Sequence, residues 1–365
     1  MTNLCGVRRF NENWISVDIT SMRAYYGLLL LAGVYRSHGE CIHELWNDLT
    51  GRPIFRATMS LEHFKLINSC LRFDDRKERL ELCPRDKLAP IRAVFDKWVH
   101  RVKSLYIPGK YITVDEQLLP FRGRCPFRQY MPTKPHKYGI KHWIACDAET
   151  HYAYNIDIYV GRDRNCTAEI RQGDRVVLQL TEGLNGRNVT CDNFFTSHSL
   201  ALALKQRQMT IVGTIRKNRK ELPPLLIDMK NKPEFYSEFA FDHKLRATLV
   251  SYVPKKHRFV TLLSTLHTAK HIDNDTKKKP DIINFYNSTK GGVDTVDEMV
   301  GTRAVRRSIF VGGGASEKKF SRRRLKTAET VSIDGGYGAK IEKFQRRGSS
   351  RRQQIFGATS NLWNT

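Results

Sequence analysis

The spacing of apolar residues changes near residue 110 of this chain, and this change restricts the fold that the sequence can adopt. Up to residue 106 apolar residues recur every three or four positions, as at Val94, Trp98 and Val102, and Ser60 is a candidate N-cap. After Tyr111, short strand-like runs alternate with helical segments. Strands that alternate with helices predict an α/β fold, which here follows an N-terminal α-helical region.

Changes in composition divide the chain into five segments. Short apolar runs between turns rich in Pro, Lys and Asp indicate a β-rich insertion within the α/β core. In the last segment the periodicity is lost, and fifteen Lys and Arg residues stand against four acids, which is typical of disorder. We expect a helical region at 1–109 and the first part of the core at 110–217. The insertion is expected at 218–283, the last core helix at 284–302 and a basic tail at 303–365.

The charge of the chain favours a polyanionic partner. With 62 Lys and Arg against 37 Asp and Glu, the formal net charge is +25. Nucleic acid is the first candidate partner and an anionic membrane is the second. The longest apolar run, "GLLLLAGV" at 27–34, is less than half a bilayer span, so we interpret it as a buried helix and expect no membrane insertion. The N-terminus has no apolar signal core, which predicts a protein that stays inside the cell.

Cysteine and histidine spacing gives no support for a zinc site or a disulfide framework. The eight cysteines all lie at or before Cys191 and contain no CxxC pair, so reduced structural thiols are expected. His136, His142 and His198 lack ligand spacing, which favours solvent-facing or core histidines. The "GGVD" string lacks the Lys-Ser/Thr ending of a P-loop, so nucleotide hydrolysis is excluded.

Four aspartates are candidate ligands of divalent metal. Asp115 and Asp192 each follow a strand-like run, so we expect both at C-terminal strand edges, where α/β sheets place their ligands. Asp294 and Asp297 are three residues apart and share one face if their segment is helical. Converging carboxylates are what two Mg²⁺ ions need for phosphodiester chemistry. For each aspartate taken alone, a turn or N-cap role is the alternative.

Two basic stretches are candidate nucleic-acid contacts. The first has no acid between Glu116 and Asp147, and its aromatic residues Phe127, Tyr130 and Tyr138 offer stacking faces for unpaired bases. The alternative is a solvated basic face over buried aromatic rings. Glu116 should point to the strand face opposite Asp115. The second stretch follows a predicted core strand and has an ordinary charged loop as its alternative. The basic residues of the two stretches are Arg122, Arg124, Arg128, Lys134, Lys137 and Lys141, then Arg216, Lys217, Arg219 and Lys220.

Six strings occur in the order in which one known family has them. They are "GRPIFRATMS", "DKLAPIR", "YITVDEQLLPFRGRCPFRQYMPTKPHKYGIK", "NVTCDNFFTS", "IVGTIRKNRKELP" and "FYNSTKGGVDTVDEM". They closely resemble the transposases of piggyBac-type transposable elements and the domesticated proteins derived from them. The resemblance runs from about residue 20 to residue 300.

This resemblance implies a ribonuclease-H-like catalytic core, interrupted by a β-rich insertion and flanked by a helical dimerisation and DNA-binding region. The family's catalytic aspartates fall on Asp115, Asp192 and Asp294, and a further required carboxylate falls on Asp297. The implied chemistry is strand cleavage, hairpin formation and transfer into TTAA targets with two Mg²⁺ ions. The resemblance implies transposon-end and target DNA as partners, a homodimer as an assembly to be tested, and the nucleus as the location.

The chain departs from the family after the "DEM" string. The "RRTRRWP"-like residues are reduced to traces, and no cysteine follows Cys191, so no zinc finger is expected. The resemblance therefore indicates a truncated or degenerate copy. Its function is expected to be that of a transposase core, whose activity the missing segments would affect. The alternatives are a DNA-binding protein without catalysis and, supported by charge alone, a basic protein associated with RNA or an anionic membrane.

Overall fold

A computed structural model describes residues 1–162 and 169–303, and the basic tail expected at 303–365 lies, apart from its first residue, outside the described residues. The N-terminal region is helical, as the apolar spacing predicts. Its helices are α1 (Thr2–Phe10), α2 (Ile19–Val34), α3 (Ile42–Leu45), α4 (Pro53–Thr58), α5 (Leu61–Cys70), α6 (Arg76–Leu82) and α7 (Arg92–Ser104).

The caps of these helices follow from local sequence, but their buried faces do not. Ser60 is the N-cap of α5, and its Oγ accepts a hydrogen bond from His63 N at 3.2 Å. The prediction that the run in α2 is a buried helix is wrong, because Leu30 and Val34 are exposed. The stripe predicted on α7 also faces outward, with Trp98 about half exposed. Apolar spacing identifies a helical face, but tertiary packing decides which face is covered.

Within the described ranges, nine strands form one mixed sheet. Seen across the sheet, the order is β2-β3-β1-β5-β6-β9-β8-β7, and β4 also pairs with β3. Strands β1, β5 and β6 are mutually parallel and the other pairings are antiparallel. The strands are β1 (Tyr111–Pro120), β2 (Gln129–Tyr130), β3 (Tyr138–Asp147), β4 (Ala153–Ile158), β5 (Asn188–Cys191), β6 (Thr210–Thr214), β7 (Ser237–Asp242), β8 (Ala247–Lys255) and β9 (Arg258–Ser264).

The β-rich segment expected at 218–283 extends this central sheet. Its last strand, β9, runs antiparallel to β6, with Val212 opposite Ser264. The pairing satisfies backbone groups that β6 would otherwise leave open at a sheet edge. Strands β7 and β8 continue outward from β9, and the short helix α10 (Pro224–Ile227) precedes them.

Helices cover both faces of the sheet. On one face, α8 (Gln172–Leu180) and α9 (His198–Gln206) pack with Ile112, Val114 and Trp143 in a buried cluster. On the other face, Val293 and Val296 pack on β3. The single last helix expected at 284–302 is wrong, because two helices form there, α11 (Asp281–Thr289) and α12 (Gly292–Arg303).

A glycine starts α12 because the sheet lies very close to it. A Cβ at Gly292 would lie 2.7 Å from both Thr113 Oγ1 and Cys146 Sγ. Such a contact would push the helix away from β1, so the glycine sets the distance between α12 and the strand. None of the helices in the described part of the chain combines the length and the apolar character needed to cross a bilayer.

Candidate active site

Two of the predicted aspartates lie side by side on neighbouring parallel strands. Val114 in β1 is opposite Cys191, the last residue of β5, so Asp115 and Asp192 are the next residues on each strand. Asp192 leaves the end of β5 as predicted. The prediction that Asp115 also ends a strand is wrong, because it is the fifth of ten residues in β1. Strand β1 continues past β5 as the antiparallel partner of β3.

Helix α12 brings the other two aspartates to the same place. Thr113 Oγ1 donates a hydrogen bond to Thr289 O at 2.6 Å, just before the start of the helix. Gln117, only 5% exposed, donates from Nε2 to Asp297 Oδ1 at 3.1 Å. Thr113, Asp115 and Gln117 alternate along β1 and therefore share one face. Asp115 is thus bracketed by two contacts that hold the segment carrying Asp294 and Asp297.

The electrostatic environment of the site disfavours the charged forms of Asp115 and Asp192. Burial, then Asp192 and Asp294, raises the pKa of Asp115 to about 7, although Glu116 N–H and Lys134 act in the opposite direction. Burial first, and Glu116 among the charges, also raises the pKa of Asp192. Packed carboxylates with raised pKa values are typical of a site whose charge is balanced by a bound cation.

The four aspartates do not form a tight ligand cluster. Within the described residues, only His271, Asp273 and Asp281 have ligand atoms all within 4.8 Å of one another. His271 Nδ1 and Asp281 Oδ2 already pair there, at 2.7 Å. The aspartates still offer hard oxygen donors, which are the ligands that divalent cations such as Mg²⁺ prefer in proteins.

Two of the predicted basic residues lie next to the carboxylates. Lys134 Nζ donates a hydrogen bond to Glu116 O at 3.3 Å, and its charge lowers the pKa of Asp115. Arg216 Nε donates to Asn193 Oδ1 at 3.4 Å, and its charge lowers the pKa of Asp192. The two basic stretches, which are about 80 residues apart in sequence, therefore each contribute one cation to the candidate site.

The other predicted basic residues differ in exposure. Arg128 uses Nη1 to hold the carbonyl oxygens of Arg122 and Gly123. Lys141 is only 14% exposed at its side chain and pairs with Glu116 at 2.5 Å, so its charge already has a partner. Strand alternation places those two side chains together on the face opposite Asp115. Arg219 is partly buried, and the exposed remainder consists of Arg122, Arg124, Lys137, Lys217 and Lys220.

Two residues at the site have no counterpart among the predicted site residues. Gln117 holds Asp297, and its spacing of two from Asp115 is the signal that could have identified it. Lys290 is partly buried at the end of α11, with Nζ 5.8 Å from the centre of the Tyr286 ring. Burial lowers the pKa of Lys290, while Asp294 acts in the opposite direction. The sequence signal that could have identified Lys290 is its position four residues before Asp294.

The histidines stay outside the carboxylate group. His136 is exposed, and His198 Nε2 lies 3.4 Å from Asp242 on β7. His142 is opposite Gln117 in the β1–β3 pairing, and burial lowers its pKa to about 4, so this imidazole is neutral at pH 7.

A mixed sheet that gathers aspartates from two adjacent parallel strands and one covering helix defines a ribonuclease-H-like class of protein. Comparison with known proteins identifies the family. The chain belongs to the Transposase IS4 family, whose model matches residues 1–312, and within it to the piggyBac-like proteins.

Two similar human proteins support this assignment. The chain is 27% identical over 305 residues to human PiggyBac transposable element-derived protein 3, covering 78% of this chain and 50% of that protein. It is 20% identical over 313 residues to human PiggyBac transposable element-derived protein 2, with coverage of 78% and 50%. The chain thus spans about half the length of these relatives.

A solved structure supports the fold. The cryo-EM structure of the piggyBac transposase synaptic complex with hairpin DNA matches with a TM-score of 0.77 and 34% sequence identity. The match covers 91% of this chain and 73% of that chain. The predicted ribonuclease-H-like α/β core is confirmed by this match.

Proposed function

We propose that this chain is a transposase core that cleaves and joins DNA strands at the site formed by Asp115, Asp192 and Asp294. The observation that carries the proposal is the convergence of these carboxylates from β1, the end of β5 and the first turn of α12. Their order along the chain and their spacing of 77 and 102 residues would mean nothing without that convergence.

The carboxylates would hold two divalent cations, with Mg²⁺ as the proposed metal. Bound there, such ions activate the attacking oxygen and stabilise the leaving oxygen of a phosphodiester. Asp115 lies within β1 and Asp192 directly follows β5, so the sheet positions both side chains. Gln117 orients Asp297 through a partly buried hydrogen bond, and Thr113 fixes the end of α11. This rigid support keeps the ligands in position before DNA arrives.

Cations around the carboxylates would hold the phosphates. Lys134 lies beside Asp115, Arg216 beside Asp192 and Lys290 beside Asp294. Each would lower the cost of bringing a phosphate diester next to a carboxylate. Exposed Arg122, Arg124 and other basic residues would contact the DNA backbone farther away.

The experiment is a DNA cleavage assay on a plasmid carrying a piggyBac-type element, with Mg²⁺ or Mn²⁺. Wild-type chain should produce metal-dependent strand breaks, and Asp192→Asn should produce none while it still binds DNA. Glu149→Gln, at an exposed acid outside the site, is the matched control and should cleave normally. Equal background cleavage by the wild type and Asp192→Asn would reject the catalytic proposal.

The second candidate function is DNA binding without catalysis. It is supported by the net charge of +25, which favours binding to a polyanion and requires no catalysis. In that case DNA affinity would fall steeply with salt, with a log–log slope of roughly 0.9 per phosphate contact. Neither the wild type nor any variant of the site would cleave the DNA.

The finer properties of the function are also proposals. A TTAA target, recognition of transposon ends, action in the nucleus and a homodimer follow from the family resemblance. Sedimentation of the chain with and without element-end DNA would test for the dimer. A homodimer should sediment with twice the mass of a single chain.

A further inference from the structure

An exposed pair of tyrosines lies in the first basic stretch, on the hairpin formed by β2 and β3. Tyr130 and Tyr138 are directly opposite in this antiparallel pair, so both side chains project from the same face. Their ring centres are 4.8 Å apart with planes tilted by 43°. Tyr130 is 54% exposed and Tyr138 is 50% exposed, although tyrosine rings are usually well buried.

The third aromatic residue of this stretch has a different environment. Phe127 is buried in a small core with Leu88 and Ile158. It anchors the hairpin to the body of the protein and offers no face to a ligand. The predicted stacking role of the three aromatic residues is therefore restricted to Tyr130 and Tyr138.

An arginine is fixed against the pair. The guanidinium carbon of Arg128 lies 5.2 Å from the centre of the Tyr138 ring. Two hydrogen bonds from Nη1, to Arg122 O at 3.2 Å and to Gly123 O at 3.1 Å, hold it in place. Because the loop and the rings are tied together, the surface is ordered without a partner, and little conformational entropy is lost on binding.

The charge around the pair selects the class of ligand. No acid occurs between Glu116 and Asp147, and Arg122, Arg124 and Lys137 are exposed. A surface that combines exposed cations with exposed aromatic rings fits a nucleic-acid strand whose bases are free to stack. In a duplex both faces of each base are covered by neighbouring bases. The two tyrosine rings would therefore bind unpaired bases in preference to paired ones.

We propose that Tyr130 and Tyr138, supported by Arg128, form a stacking platform for an unpaired base of the DNA on which the chain acts. Stacking would hold a strand that has left the duplex, and would be tolerant of base identity because every base has a π face. This inference rests on the proposed function only in taking DNA as the polyanion. The alternative is a purely structural cross-strand pair that stabilises the hairpin.

The test compares binding of a short single strand and of its blunt duplex at fixed ionic strength, by fluorescence anisotropy. Tyr130→Leu/Tyr138→Leu should weaken single-strand binding by roughly 10- to 100-fold and duplex binding by less than about twofold. Tyr130→Phe/Tyr138→Phe keeps the rings and should bind like the wild type. The control Phe239→Leu/Phe241→Leu changes a stacked aromatic pair on β7, at the opposite sheet edge, and should change neither affinity.

A second measurement detects stacking directly. A 2-aminopurine base in the single strand should be quenched on binding to the wild type and to the Phe variant, but not to the Leu variant. The melting temperature of each variant, measured in parallel, shows whether the hairpin remains folded.

The outcomes separate this inference from the proposed function. Equal loss of single-strand and duplex binding in the Leu variant, or no loss of either, overturns the stacking platform while DNA binding by the wild type stands. A wild type that binds neither DNA overturns the platform and the proposed function together. Quenching that persists in the Leu variant also overturns the platform.

Discussion

The two faces of β1 give two adjacent carboxylates opposite electrostatic environments. Glu116 lies on one face and forms an ion pair with Lys141 at 2.5 Å, beneath the rings of Trp143 and Phe194. Asp115 lies on the other face, towards Asp192 and Asp294, and its pKa is raised to about 7. One carboxylate has its cation supplied by the protein, while the proposed partner of the other is a bound divalent cation.

Of these two neighbouring residues, we expect Glu116 to contribute to stability and Asp115 to contribute to function. A paired, partly buried acid contributes to folding as long as its partner is present. A desolvated acid next to other acids destabilises the folded state, and such a group is typical of sites where ligand binding offsets that destabilisation. Substitutions on the two faces should therefore have opposite effects, and the predictions below test that contrast.

The largest expected effect is on strand cleavage. Asp115→Asn should lower the metal-dependent cleavage rate by more than about 100-fold, beyond the 10- to 100-fold typical of groups that only orient a metal ligand. Glu116→Gln should keep the rate within about tenfold of the wild type. Single-turnover cleavage rates in Mn²⁺ measure both variants, and equal losses would remove the contrast between the faces.

The next effect concerns Gln117, which orients Asp297 on the functional face. Gln117→Ala removes the hydrogen bond to Asp297 Oδ1 and should weaken Mn²⁺ binding by roughly 10- to 100-fold. Gln129→Ala, on β2, is the matched control. Electron paramagnetic resonance titration of free Mn²⁺ gives the affinities, and unchanged affinity in Gln117→Ala would show that the bond is only structural.

A third effect is expected on the stability face. Lys141→Met leaves Glu116 partly buried without its cation and should lower the free energy of unfolding by about 1–3 kcal/mol. The double variant Glu116→Gln/Lys141→Met should recover part of that loss. Urea unfolding of the four proteins in this cycle measures the coupling, and additive losses would mean that the pair does not interact.

The smallest effect is a gain in stability on the functional face. The folded-state pKa of Asp115, about 7, lies above its ordinary value of 3.8, so the folded protein retains a proton that the unfolded chain releases. Stability from this group is therefore lost as pH rises from about 4 to 7. In EDTA at pH 8, Asp115→Asn should raise the free energy of unfolding by about 1–2 kcal/mol. Urea unfolding at pH 5 and pH 8 should show a clearly larger gain at pH 8, because only part of the stability from this group is lost by pH 5.

The sequence predicted local features of the site better than its geometry. The position of Asp192 at the end of β5 could be predicted, because a strand-like run is a local signal. The position of Asp115 inside β1 could not, because β1 continues past β5 by pairing with β3, which is a tertiary contact. The pairing of Lys141 with Glu116 also required the β1–β3 register.

The fold shows the same division between local and tertiary information. The N-cap at Ser60 was readable from neighbouring residues. The exposed faces of α2 and α7 were not, because apolar spacing does not say what covers a helix. Nor does local sequence show that β9 joins β6, since that contact spans about 50 residues.

One measurement tests the contrast between the two faces most directly. It is the shift in melting temperature that Mn²⁺ causes in the wild type, Asp115→Asn and Glu116→Gln at pH 8. An ion that binds the folded state raises its stability in proportion to the logarithm of ion concentration. We expect a clear upward shift in the wild type and in Glu116→Gln, and almost none in Asp115→Asn. An equal shift in all three proteins would contradict the assignment of Asp115 to a metal site.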